Sequence, residues 1–327
     1  MPFKKYISII IKIVIVFFSF FFIHKQLTQS KSFNELDYNY FLNSVLDNYI
    51  VMLIVFMMMF LNWFFEALKW RYMIRKIEKI SIFRSIRAVF TGITVSSFTP
   101  NRVGEYGGRV FCLEKGDRIQ AVFITVLCSM AQLLTTIMFG SISFFVLSDY
   151  VFLDNSILEI FNFKIPFFSF YILVFFNLLF IISYFNISFF VNLIKQFKLF
   201  NNSQLYIEVL SMYSFRDLFI TLIFSIVRYF IFSLQFILLL DIFGVDVSFF
   251  DAVFAVMLVF FFITITPTIT IAEIGVRGSV AIFIIGFFSS NSLGILSSTC
   301  TLWLINLIIP AIIGSFFIFS LKFFRTS

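Results

Sequence analysis

Two clusters of polar residues interrupt an otherwise apolar chain, and each has the makings of an anion site. The first runs Thr99-Pro100-Asn101-Arg102-Val103-Gly104-Glu105-Tyr106-Gly107-Gly108-Arg109. The second runs Thr266-Pro267-Thr268-Ile269-Thr270-Ile271-Ala272-Glu273-Ile274-Gly275-Val276-Arg277-Gly278. Both open with Thr-Pro, and both carry Glu-x-x-x-Arg. Spacing of four puts Glu105 beside Arg109, and Glu273 beside Arg277, on one helix face where the charges can pair. On a soluble helix such a pair is routine. Inside a membrane an ionisable group is expensive and marks a functional site by default. The guanidinium fork matches phosphate oxygens, so Arg102, Arg109 and Arg277 are candidates to hold a phosphate. Glu105 and Glu273 would neutralise them in an empty site, or take up a proton as a coupling step. Gly104, Gly108 and Gly275 allow a backbone or a head group to come close. Pro100 and Pro267 should each break an incoming helix. A helix restarting after the break would aim free N–H groups at it, a ready anion site.

Other polar residues are weighed against blander roles. Arg228 lies mid-span with no local acid partner, so it should point into the protein rather than at lipid. It reads equally as a site residue or as a structural partner, for example of Glu273. Glu66 with Lys69, Trp70 and Arg71 reads as an interfacial anchor at the end of a span. Ser129, Gln132, Thr135 and Thr136 read as helix-packing contacts. The only histidine, His24, ends the first apolar run, which argues against chemistry needing a buried histidine base. Cys112, Cys128 and Cys300 lie far apart, with neither zinc spacing nor a disulfide framework. No metal or other cofactor is expected. No catalytic motif is present, so the chain does not read as an enzyme.

The elements that position these residues must be membrane helices. Hydrophobic residues make up 61% and charged residues 13%, about half the charged share of a soluble domain. The mean hydropathy is +1.04. Six apolar segments, 6–23, 49–70, 119–147, 167–190, 217–240 and 293–320, are long enough to cross a bilayer. Two shorter ones, 86–98 and 252–266, end at the polar clusters. The first span follows Lys4 and Lys5 and lacks a small-residue cleavage site, so it is expected to stay attached. The net charge of +7 reports basic loops rather than nucleic-acid binding. Seventeen of the 24 basic residues fall on one side of this topology, and nine acids fall on the other. That bias makes the basic side, with both termini, cytoplasmic.

The bias holds only if the two short segments do not cross. Segment 86–113 then dips in from the basic face and 252–290 from the acidic one. Two opposed hairpins with related tips are the mark of an inverted-repeat transporter. The expected fold is therefore all-α. It is a polytopic membrane protein with about six full spans plus two oppositely oriented re-entrant hairpins, eight hydrophobic helices in all. One transmembrane domain covers 1–327, with half-repeats at about 1–148 and 165–327. The alternative is that both short segments are ordinary spans.

Pro100-Asn101-Arg102-Val103-Gly104-Glu105 followed by Arg109 resembles the Pro-x-Arg-x-Gly-Glu-x-x-x-Arg signature of a known family. It is the transmembrane, flippase-like domain of lysylphosphatidylglycerol synthases. Pro267 to Gly278 resembles that family's second, glycine-rich motif, and Trp70-Arg71 after the second span fits its placement. The resemblance covers about 6–320. It implies a domain of the bacterial inner membrane that moves a phospholipid or polyprenyl-linked lipid between leaflets. The aminoacyl-transferase domain of the synthases is expected to be missing, because the chain ends soon after its last apolar run. The leading expectation is a flippase whose partner is a membrane lipid with a phosphate head group. A homo-oligomer or a lipid-modifying enzyme is a further partner to consider. The competing readings are a membrane-embedded transferase for a lipid-linked substrate, a soluble-anion transporter and a non-transporting partner subunit.

Overall fold

The computed structural model describes residues 10, 13, 14, 17, 21, 38–99, 102–147, 168–195, 204–266 and 273–319. The first expected span, 6–23, lies almost wholly outside these residues, and so do Pro100 and Pro267. Among the described residues every regular element is helical. In order they are α1 (Tyr38–Asp47), α2 (Tyr49–Ile74), α3 (Ile82–Ser96), α4 (Gly104–Val110), α5 (Arg118–Val146), α6 (Phe168–Phe185) and α7 (Ile187–Lys195). Then come α8 (Gln204–Ile207), a 3-10 turn at Glu208–Met212, α9 (Phe215–Ile242), α10 (Phe249–Ile265) and α11 (Glu273–Ile285). The last helix is α12 (Ser292–Trp303), running through a π-turn at Leu304–Ile308 into α13 (Ile309–Ile318).

Short polar linkers start these helices. Ser81, Asp117, Ser248 and Asn291 each accept a backbone N–H of the first turn they precede. Ser214 and Asp217 form a reciprocal capping box at the start of α9. Between the caps the sequence is apolar enough that α2, α5, α9 and Ser292–Ile318 can each cross a membrane. The protein is inside-out relative to a water-soluble one. Glu66, Lys69, Arg109, Gln235 and Glu273 are buried, whereas Phe175, Phe219, Phe250 and Phe316 are exposed. It is a multi-pass membrane protein.

The scaffold is the antiparallel pair of α2 and α9. Its rungs are Arg75 with Asp217 at 3.0 Å, Lys69 with Ser225 at 3.4 Å and Asn62 with Arg228 at 3.0 Å. The last is Gln235 donating to the Val55 carbonyl at 2.9 Å. Two helical hairpins, α3–α4 and α10–α11, flank this pair, and each is clasped at its base. Glu78, just before α3, accepts the backbone N–H groups of Glu114, Lys115 and Gly116, just after α4, at 3.1, 2.9 and 2.8 Å. Asn291, just after α11, donates to the carbonyls of Phe243 and Gly244, just before α10, at 3.1 and 2.9 Å. The first clasp sits past the C-terminal end of α2 and the second past that of α9. Because α2 and α9 are antiparallel, the two hairpins enter from opposite ends of the scaffold.

Each hairpin is seated on a long helix remote in sequence. Gly314 of α13 lies so close to α3 that a Cβ there would overlap the Phe90 carbonyl. Gly140 of α5 leaves the same kind of room for Phe261 of α10. Within the first hairpin, Gly108 faces Gly92, and a Cβ would stand 2.7 Å from the Gly92 Cα.

Two details depart from the expected spans. The segment expected at 167–190 is not one straight helix, because the chain bends by 81° between Phe185 and Ile187. Asn186 turns its amide back onto the Ile182 carbonyl at 2.8 Å, competing with the helical ladder. Tyr184 is anchored to the Leu218 carbonyl at 3.0 Å. The last helix widens at Leu304–Ile308 because Pro310 cannot donate to Asn306 and its ring would crowd that carbonyl.

Candidate functional site

The polar clusters converge at the middle of the α2–α9 pair. Both Glu-x-x-x-Arg couples form the ion pairs that their spacing predicts. Arg277 reaches Glu273 at 2.9 Å, and Arg109 bonds Glu105. The two hairpins also meet. Arg102, in the turn between α3 and α4, donates to Glu273 at the start of α11 at 2.5 Å. Arg102 has φ of 58°, a left-handed conformation that a side chain rarely adopts. Strain of this kind is held where the surroundings fix a residue for a purpose. Glu273 is therefore clamped between an arginine of each hairpin.

Behind this contact lies a second, deeper cluster. Glu66 accepts from Lys69 at 2.8 Å, from Arg109 at 2.8 Å and from Arg228. Arg228 also donates to Asn62 at 3.0 Å and reaches Gln132 at 3.4 Å. Its guanidinium carbon lies 5.0 Å from the centre of a Trp63 ring, within cation–π range. Asn62 in turn donates to Asn306 at 3.3 Å, in the π-turn of the last helix. A turn widened to accommodate Pro310 thus also carries an amide of the network.

A cavity of about 280 Å³ opens between these groups. Arg102, Arg228 and Arg277 line it together with Asn62, Gln132 and Asn306. Phe232, Phe236, Phe260, Ile263, Leu302 and Trp303 form an apolar wall. Among the described residues, the Trp63 indole N–H and the Tyr229 hydroxyl are buried along its lining without a hydrogen-bond partner. Such groups are penalised unless something bonds them. Five cations, Lys69, Arg102, Arg109, Arg228 and Arg277, face three carboxylates, Glu66, Glu105 and Glu273. Among the described residues the cluster holds a surplus of two positive charges, which suits an anionic guest.

The expected site residues divide by position. Arg102, Arg228 and Arg277 face the cavity. Glu273 stands just behind two of them. Glu105 and Arg109 pair off its edge, and Arg109 is buried at 1% exposure as a link between Glu105 and Glu66. Gly104 and Gly108 serve packing within the first hairpin, against Thr99 with Val95 and against Gly92. Gly275 has open space where a Cβ would be.

Three expectations are corrected. Arg228 pairs with Glu66, not with Glu273, because Glu66 faces it across the α2–α9 contact. Glu66 is no interfacial anchor but the hub of the buried network. Gln132, read as a packing residue, lines the cavity. A signal for the hub does exist in the sequence. Asn62, Glu66 and Lys69 recur at helical spacing on one face of an otherwise apolar helix. Among the described residues no cluster of histidine, cysteine, aspartate or glutamate is arranged to hold a metal ion.

No curated protein and no solved structure matches the chain. The family described as lysylphosphatidylglycerol synthase TM region matches residues 9–314. The match spans nearly the whole chain, including both polar clusters and the α2–α9 pair, and the protein belongs to that family.

Proposed function

We propose that this protein is a lipid translocase of the flippase type in the bacterial inner membrane, with both termini in the cytoplasm. It carries an anionic phospholipid or a polyprenyl-linked lipid between leaflets without covalent chemistry. One observation carries the reading: the cavity is lined both by three arginines and by aromatic side chains. A phosphate fits the first surface and the start of a lipid tail fits the second. The surplus of positive charge favours a negative head group. The apolar wall favours a lipid over a soluble anion. The two hairpins are read as re-entrant, each dipping from its own face to a tip at the cavity, and the two halves of the chain as inverted repeats. In such proteins irregular backbone at membrane depth is tolerated where it lines a cavity. Alternating access then comes from rocking the halves about the shared site.

The test is leaflet transfer of a fluorescent anionic phospholipid in proteoliposomes. Arg228→Gln with Arg277→Gln should reduce transfer at least tenfold while the protein still inserts and elutes as one species. Transfer at the wild-type rate by the double variant would refute the proposal.

A further inference from the structure

The basic end of α2 carries a second recess, separate from the central cavity. Its volume is about 410 Å³. Arg71, Arg75 and Lys79 line it, with Leu68, Tyr72 and Phe224 among its walls. Leu68, Arg71, Tyr72 and Arg75 follow each other at helical spacing, so they form one stripe along α2. All three cations are exposed.

The charges here are only partly compensated. Asp217 takes Arg75 at 3.0 Å and Lys76 at 3.2 Å, and it also accepts from Tyr72 at 3.0 Å. The nearby Glu78 is turned away, to Arg84 and to the backbone of 114–116. Arg71 gives its Nε–H to the Ile80 carbonyl at 3.0 Å, which orients the rest of the fork. Neither Arg71 nor Lys79 has a carboxylate within ion-pair distance among the described residues. The Arg75 guanidinium carbon lies over the Tyr72 ring, 3.8 Å from its centre.

The stripe continues away from the charges as apolar surface. Phe64, Leu61 and Phe60 precede Leu68 on α2 and are 41%, 50% and 41% exposed. A head group would meet three basic side chains, and its tails would lie along the phenylalanines. A free phosphate would use only half of this surface. Arg71 lies five residues beyond Glu66, roughly 7.5 Å farther along the axis, so the recess is not part of the buried network.

We infer that this recess is a docking site for the head group of an anionic phospholipid, at the membrane surface and distinct from the central cavity. Basic pockets between helices at a membrane face recognise such head groups. The site holds its lipid whether or not the central cavity transports one.

The test uses the full chain in mild detergent, with retention of added phosphatidylglycerol read by native mass spectrometry. Phosphatidylcholine and inorganic phosphate serve as the other arms. The wild type should retain phosphatidylglycerol in preference to phosphatidylcholine, and inorganic phosphate should not displace it. Arg71→Gln with Lys79→Glu should raise the half-saturating concentration of phosphatidylglycerol on the order of a hundredfold, as a loss of three units of positive surface charge predicts. Arg71→Lys with Lys79→Arg should restore retention, which a misfolded recess would not do. Equal retention of both lipids, displacement by inorganic phosphate, or wild-type retention by the Arg71→Gln, Lys79→Glu variant would overturn the inference.

Discussion

Arg102 and Glu273 lie 171 positions apart in sequence, and their side chains meet at 2.5 Å where the two hairpins touch. The contact joins elements that enter from opposite ends of the α2–α9 scaffold. It also ties up an arginine that a phosphate would otherwise take. On the proposed function an incoming anion would compete with Glu273 for Arg102, which would couple ligand binding to the hairpin contact.

A cysteine pair checks that contact directly. In a background with Cys112, Cys128 and Cys300 replaced by alanine, Arg102→Cys with Glu273→Cys should be bridged in native membranes by a reducible bis-methanethiosulfonate reagent long enough to replace the two side chains. Leaflet transfer should fall on cross-linking and return on reduction. Cross-linking no better than for a pair placed on the outer surface would place the hairpins apart.

Arg109 should act mainly on stability. It is fully enclosed and serves both Glu66 and Glu105. Arg109→Ala strips a partner from each carboxylate, and breaking a buried pair costs about 3–5 kcal/mol. Thermal unfolding in detergent should show a large drop for Arg109→Ala and a smaller one for Arg277→Gln, whose side chain is 18% exposed. Equal melting temperatures for wild type and Arg109→Ala would remove Arg109 from the structural core.

The first hairpin's clasp should weaken in acid. Burial works against ionising Glu78, but the N–H groups of Gly116, Lys115 and Glu114, together with Arg84, outweigh it and hold its carboxyl below the ordinary range. A carboxylate depressed in the folded state adds stability above its unfolded value, and that stability is lost as pH falls through the folded one. Hydrogen exchange at residues 114–116 should therefore speed up as pH falls below the ordinary carboxylate range, after correction for intrinsic rates. Glu78→Gln should exchange fast at neutral pH and lose this dependence. An unchanged profile in Glu78→Gln would show that another group closes the clasp.

Overpacking at a hairpin seat should be costly. Gly314→Val drives a side chain into the Phe90 carbonyl. Destabilisation of about 1–3 kcal/mol, or more where backbone must move, is expected. Gly275→Ala meets open space and should be near neutral. Thermal unfolding of the two variants side by side decides the point, and a reversed order would contradict the packing described.

The repeated Glu-x-x-x-Arg couples were legible because their interaction is local: helical spacing alone brings Glu105 to Arg109 and Glu273 to Arg277. Arg228 was legible as inward-facing because lipid offers it nothing. Its true partner was not, since Glu66 meets it only when α9 crosses α2, 162 positions away in sequence. Glu66 was masked further by Lys69 and Arg71, which mimic the basic fringe at the end of a span. The bend at Asn186 was hidden for a related reason. Residues 168–185 and 187–195 are apolar enough to read as one run, and the bend depends on Tyr184 reaching the Leu218 carbonyl of α9. Local spacing revealed pairs; it gave no sign of which pairs share a neighbour.

The glycine seats at Gly140 and Gly314 fix what can move. With backbone pressed against side chain or carbonyl, α10 cannot slide over α5, nor α3 over α13, without opening a gap in the packing. Neither hairpin is therefore a free flap hinged at its clasp. Any swing must carry its partner helix along, like a tenon dragging its mortise, and the mobile body is a whole flank of the protein.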